Sequence, residues 1–249
     1  MSSSVSNQRR RGPMHAQAAI TRERVLLAAA DVFGTRGYTA TSVSDIVRAA
    51  GTTSGSMYFH FGSKEAMAAA VVQAQYDRWP AVVERFTDAS GPGRELVCLV
   101  ALSFAVGRAF RDDPLIRGGV RLSLERAVIP FALPVPFVGW IETVTELLAA
   151  ARAAGQVSDT LDPPTAARLH VAAFFGVQYV SDALHGREDL EARLTDMWLG
   201  MLPAWHLSMD EHQLVEQARA LCAQLDGEQE GPVTAARAPE ADHGRTGTV

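Results

Sequence analysis

The chain has 249 residues, 47% of them hydrophobic and 7% aromatic, with a net charge of −5. That length buries a sizeable core and leaves room for two domains. Two cysteines, Cys98 and Cys222, and seven scattered histidines form no CxxC or Cys/His cluster, so the two thiols read as small buried hydrophobes and neither a metal nor a cofactor is expected.

Residues 1–12 are basic, but no apolar stretch follows, which excludes a signal peptide. The longest apolar run, residues 96–107, contains a serine and is too short to span a bilayer. A cytoplasmic protein without a membrane partner is expected. Residues 1–64 hold eight Lys or Arg against three acids, a net of +5, so the remainder carries −10. A basic end on an acidic body places a polyanionic partner at the N-terminus.

Residues 1–17, with Arg9 to Arg11, read as a disordered basic arm that either reaches into a DNA groove or is merely solvated. Val25, Leu26, Ala29, Val32 and Phe33 then make one face of an amphipathic helix that Gly37 closes. Ser42 with Asp45 three residues on is a capping-box signature, and Val43, Ile46, Val47 and Ala50 repeat at helical spacing to Gly51. Thr52, Thr53 and Ser54 supply a turn and a fresh cap for a two-turn helix over residues 55–60. This is a helix-turn-helix pattern over residues 18–63, whose second helix enters the major groove of double-stranded DNA by its N-terminal end. The candidate DNA-contacting residues here are Ser42, Thr52, Thr53, Ser54, Gly55 and Ser56.

RVLLAAADVFGTRGY (24–38), TSVSDIVRAAG (41–51), SGSMYFHF (54–61) and SKEAM (63–67) keep an order and spacing that resemble the TetR family of repressors. The resemblance implies that Tyr58 and His60 lie on or just after the recognition helix and that Lys64 touches DNA phosphate. Relatives that sense signalling lactones carry Lys where this chain has Ser54, and an apolar residue where it has Thr52, so one groove or phosphate contact is lost.

Residues 64–226 read as helical throughout. Helices are expected over about 63–87, 93–110, from 113 on, 137–154, 162–184, 187–206 with an interruption at Pro203, and 209–225, with the proline-broken loop IPFALPVP (129–136) between the third and fourth. Residues 227–249, rich in Gly, Pro, Glu and Ala, read as a disordered tail. The fold class is therefore all-α: a three-helix head and a helical ligand-binding and dimerisation body. Phosphate loops, Ser-His-Asp ordering and HExxH are missing, and Glu125–Arg126 and Asp112–Asp113 read as solvated helix charges. The chain is not expected to be an enzyme.

FRDDPLIRGGVRLSLERA (110–127), LPVPFVGW (133–140) and AAFFGVQYVSDALHGR (172–187) resemble the γ-butyrolactone, furan and butenolide receptors within that family, and QYDRWP (75–80) is similar to the methylenomycin-furan type. The resemblance implies that Trp140 lines the ligand pocket, that Tyr76 meets the polar head of the ligand, and that Ser123 and Phe137 stand at pocket positions. Phe174 and Gln178 complete the candidate ligand-binding set. Residues 172–177 are too apolar for a solvent face, which points to a homodimer through helices 163–185 and 187–206. The implied function is a dimeric repressor released by a small hydrophobic signalling ligand. The alternatives are a repressor sensing an unrelated drug or metabolite, an orphan regulator that binds no signal, and a helical enzyme with a DNA-binding-like head.

Overall fold

The computed structural model describes residues 5–90 and 92–229, except for the side chains of residues 5–15, 90, 228 and 229. The described residues form ten α-helices and no strand. The side chains of Arg9 to Arg11 and most of the expected tail lie outside the described residues.

The head is built from α1 (Val5–Arg36), α2 (Val43–Ala49) and α3 (Ser54–Phe61). Helix α1 starts well before residue 18 and runs through Gly12 and Pro13 into Ala16, Ala18 and Ala19, which are strong helix formers. Val25, Ala29, Phe33, Ile46 and Met57 are fully buried and pack with Met67 and Val71. Each large side chain contributes roughly 1.5–3 kcal/mol by leaving water. The capping box forms at the start of α2: Ser42 Oγ accepts from the Asp45 amide at 3.1 Å, and Asp45 Oδ2 accepts from the Ser42 amide at 3.0 Å. Thr53 caps α3 by accepting from the Ser56 amide at 3.2 Å.

The body follows as α4 (Lys64–Ser90), α5 (Glu95–Asp112), α6 (Pro114–Leu124), α7 (Val138–Ala153), α8 (Pro163–His185), α9 (Leu190–Met201) and α10 (Glu211–Gln229). Helix α5 is the axis: Leu96 to Phe104 are buried without interruption, and α4, α6, α7, α9 and α10 pack around it. Caps set the boundaries. Asp113 accepts from the Leu115 amide ahead of α6, and Asp162 from the Thr165 amide ahead of α8. The helix expected to run to residue 206 ends at Met201 and tightens into a 3₁₀ turn, Leu202–Trp205, because Pro203 has no amide hydrogen to continue the ladder.

Two adjacent glycines wedge α6 between its neighbours. A Cβ on Gly118 would lie 2.4 Å from the Ala30 carbonyl oxygen of α1, and one on Gly119 would lie 2.5 Å from Gln75 Cβ of α4. Only glycine permits this double close approach.

Residues 172–177 do not form one outer face. Ala172 and Gly176 are exposed, in a stripe with Leu169, Val180 and Leu184, whereas Phe174 is fully buried against Phe110, Trp140 and His170. Successive helix residues are about 100° apart, so a run of six apolar residues must wrap the whole helix.

Candidate functional site

The outer surface of the head carries the sequence-derived DNA set. Ser42, Thr53, Ser54, Gly55 and Tyr58 are exposed, and Thr52, Ser56, His60 and Lys64 are partly so. The Ser42 hydroxyl is already committed, donating to Asp45 Oδ2 at 2.6 Å. Phe59 was not on that list, yet it is 81% exposed beside Tyr58 on α3 and extends the same surface. Its signal lay inside SGSMYFHF, where an aromatic residue reads equally well as core.

Charge on this surface is held in order by one carboxylate. Asp45 receives Arg36 at 3.1 Å and Arg48 at 3.4 Å. The Ser42 hydrogen bonds hold its carboxyl below the usual carboxylate range, with the arginines adding to the effect. The Lys64 ammonium sits 4.1 Å over the Tyr38 ring, and partial burial lowers its pKa. Tyr38 in turn donates to Glu65 at 3.0 Å, and burial pushes its phenol up to about 12. Lys64 is thereby fixed at the first turn of α4, immediately after the recognition helix.

The body contains an apolar cavity of about 220 Å³ between α4, α5, α6, α7 and α8. Of the sequence-derived ligand set, Tyr76, Ser123, Phe137 and Trp140 line it. Phe174 and Gln178 do not. Phe174 points into the core, and its neighbour Phe175 takes the place in the wall, edge-on to Phe137 at 4.4 Å. Gln178 is 2% exposed and borders a separate cleft between α6 and α8. Gln75 and Trp79, flanking Tyr76 in QYDRWP, line the cavity and were missed.

Among the described residues, three polar groups on this wall have no hydrogen-bond partner within the protein. Trp140 Nε1 is buried and unpaired, with its ring edge-on to Trp79 at 4.7 Å. The Tyr76 hydroxyl and the Gln75 amide have none either. Ser123 differs, since its hydroxyl donates to the Gly119 carbonyl at 2.9 Å. An apolar chamber with a few convergent, unspent polar groups has the make-up of a small-molecule site. No group of His, Cys, Asp or Glu among the described residues could hold a metal, and no helix among them is long and apolar enough to cross a membrane.

Cavity and head share structural parts. Gly119, Val120 and Ser123 put one side of α6 at the chamber and at α4. Its other side grips α1: Arg117 pairs with Asp31 at 3.2 Å, and Arg121 donates to the Gly34 and Thr35 carbonyls at 3.3 Å. The loop beyond α6 makes a second bridge. Ile129 and Leu133 pack into the head cluster, while Pro136 and Phe137 line the cavity. Phe137 adopts φ +71°, a left-handed conformation that strains a residue with a side chain.

The bacterial regulatory proteins of the tetR family match residues 25–71, and the C-terminal domain of tetracyclin-repressor-like proteins matches residues 94–204. The solved structure of the TetR family protein CprB from Streptomyces coelicolor, in complex with its biological operator sequence, is 31% identical, with a TM-score of 0.68 over 85% of this chain and 99% of that one. The chain belongs to the TetR family. Other proteins are similar over most of this length. The A-factor receptor protein of Streptomyces griseus is 36% identical over 189 residues, which span 76% of this chain and 65% of that receptor. A gamma-butyrolactone receptor of the ArpA-like kind is 29% identical, with a TM-score of 0.67 over 83% of this chain and 99% of that one. A structure described as the molecular basis for control of antibiotic production by bacterial hormones is 43% identical, with a TM-score of 0.66 over 74% of this chain and 96% of that one.

Proposed function

We propose that this TetR-family chain is a cytoplasmic, dimeric repressor that a small signalling molecule of the γ-butyrolactone, butenolide or furan type releases from pseudo-palindromic operator DNA, in control of antibiotic production. The observation that carries the reading is the position of α6, one side of it in the wall of the apolar cavity and the other fastened to α1 of the head. The similarity to the A-factor receptor and to the gamma-butyrolactone receptor supports the ligand class. The similarity to CprB on its operator supports DNA as the partner.

The exposed stripe Leu169, Ala172, Gly176, Val180 and Leu184 on α8 supplies the dimer face, and its small residues allow close helix approach. Two-fold symmetry then sets two α3 helices to read two half-sites. Tyr58, Phe59 and the residues at the start of α3 face the groove, while Lys64 and the exposed arginines hold phosphates. Ligand filling the cavity moves α6 and the 129–137 loop, which changes the spacing of the heads. It must bind the released state better than the DNA-bound state, and a factor of about 5- to 150-fold is typical. The chain itself acts without catalysis.

The test is an operator selected from random duplex DNA, followed by gel shifts with a hydroxymethyl-bearing 2-alkanoyl-γ-butyrolactone, an alkyl butenolide and an alkyl furan carboxylate. Release by one of the three and not by unrelated drugs supports the reading. Operator binding untouched by all of them leaves an orphan regulator, and turnover of a compound leaves an enzyme.

A further inference from the structure

The single proline inside α4 falls in the cavity wall, at Pro80. Proline has no amide hydrogen, so the helix bond that residue 80 would donate to the carbonyl four residues back cannot form. That carbonyl belongs to Tyr76. Tyr76, Trp79 and Pro80 all line the cavity, so the gap in the ladder lies on the cavity-facing side of the helix, at the mouth where Pro80 is exposed. No side chain among the described residues donates to the Tyr76 carbonyl; the side-chain bonds on this part of α4 run from Gln73 to Asp77 and from Arg78 to Asp113. A carbonyl without its i+4 helix donor, beside an apolar chamber, is open to accept a hydrogen bond from a molecule that fills the chamber.

We propose that the Tyr76 main-chain carbonyl, freed by Pro80, accepts a hydrogen bond from a hydroxyl of the bound molecule, which makes Pro80 a specificity-determining residue. A carbonyl only accepts. It therefore selects an O–H and rejects an ether or ester oxygen at the same place, where two acceptors would meet. The buried Trp140 indole on the facing helix only donates. Together the two groups ask for a ligand with a hydroxyl at one end of its polar head and a carbonyl at the other. This inference rests on the ligand-sensing reading above and goes further, because it names which atom reads the hydroxyl.

The test compares the compound that releases the wild-type protein with its deoxy analogue, in the wild type and in Pro80→Ala. Alanine restores an amide that can bond the Tyr76 carbonyl and close the gap. The wild type should prefer the hydroxylated compound by about tenfold, the usual worth of one such bond. In Pro80→Ala that preference should fall to within about twofold, whatever the change in overall affinity. A carbon-13 label on the Tyr76 carbonyl gives a second readout: its resonance should move with the hydroxylated compound and not with the deoxy analogue. An undiminished hydroxyl preference in Pro80→Ala, or an unmoved resonance, overturns the assignment. If neither compound binds the wild type, the ligand-sensing reading itself has failed, and this inference falls with it.

Discussion

The backbone amide of Tyr38 donates a 2.7 Å hydrogen bond to Glu125 Oε2, joining the end of the first head helix to the C-cap of α6. Arg121 steadies the other carboxylate oxygen at 3.1 Å. Gly37, at φ +76°, is the residue that makes room, since a Cβ there would lie 2.4 Å from Glu125 Oε1. The helix that carries one side of the cavity wall and the head thus meet at one carboxylate.

Glu125→Ala removes that joint without entering the cavity. Stability should drop by about 1–2 kcal/mol, the range for a hydrogen bond to a charged group that stays partly solvated. The ligand concentration needed for operator release should shift several-fold while ligand affinity in the absence of DNA stays near wild type. Glu125→Gln keeps an acceptor and should fall between the two. Normal release by the alanine variant in a gel-shift titration takes this contact out of the relay.

Trp140 and Tyr76 separate a cavity role from a packing role. Trp140→Ala should abolish ligand release while operator affinity stays within a few-fold of wild type. If the ring serves only the core, truncation should instead cost about 3–5 kcal/mol and lower stability and DNA binding together. Tyr76→Phe removes one hydroxyl and almost no volume, so release should weaken about tenfold with no change in Tm.

Lys64 tests the reading head. Lys64→Ala should weaken every DNA sequence about equally and make the salt dependence of binding shallower by about one unit in the log–log slope. Its loss also bares the Tyr38 ring, so the slope is the decisive reading and the affinity alone is not. An unchanged slope removes Lys64 from the phosphate contacts.

The buried His170 gives stability a defined pH dependence. Its ring stacks on Trp198 at 4.6 Å, with Nε2 3.4 Å from Ser103 Oγ, and burial drives its pKa down to about 3. The unfolded chain, with an ordinary value near 6.5, binds more protons than the folded chain between those limits. Stability is therefore full above about pH 6.5 and lost as the pH falls toward 3, by at most about 1.4 kcal/mol per pH unit. His170→Gln should flatten that slope relative to wild type in thermal melts between pH 6.5 and 4.5. Parallel slopes contradict the assignment.

The architecture was legible because caps, glycines and prolines state helix ends locally. Ser42, Thr53, Asp113, Asp162 and Pro203 act where the sequence puts them. The cavity was legible only in part. Tyr76 and Trp140 were read from resemblance, but FF at 174–175 offers two adjacent rings, and only the packing of α8 decides that Phe175 meets the chamber. Gln178 reads as a pocket residue for the same reason and lands one wall away, at the cleft between α6 and α8. The links through Gly118, Gly119 and Glu125 join residues 44 to 88 positions apart, which no local pattern records.

The most direct measurement of the central claim is the affinity of the releasing compound for the dimer, taken by calorimetry with and without saturating operator duplex. If the cavity and the head are coupled through α6, operator should weaken ligand binding by the same factor, about 5- to 150-fold, by which ligand weakens operator binding. Equal ligand affinity in the presence and absence of operator would contradict the account.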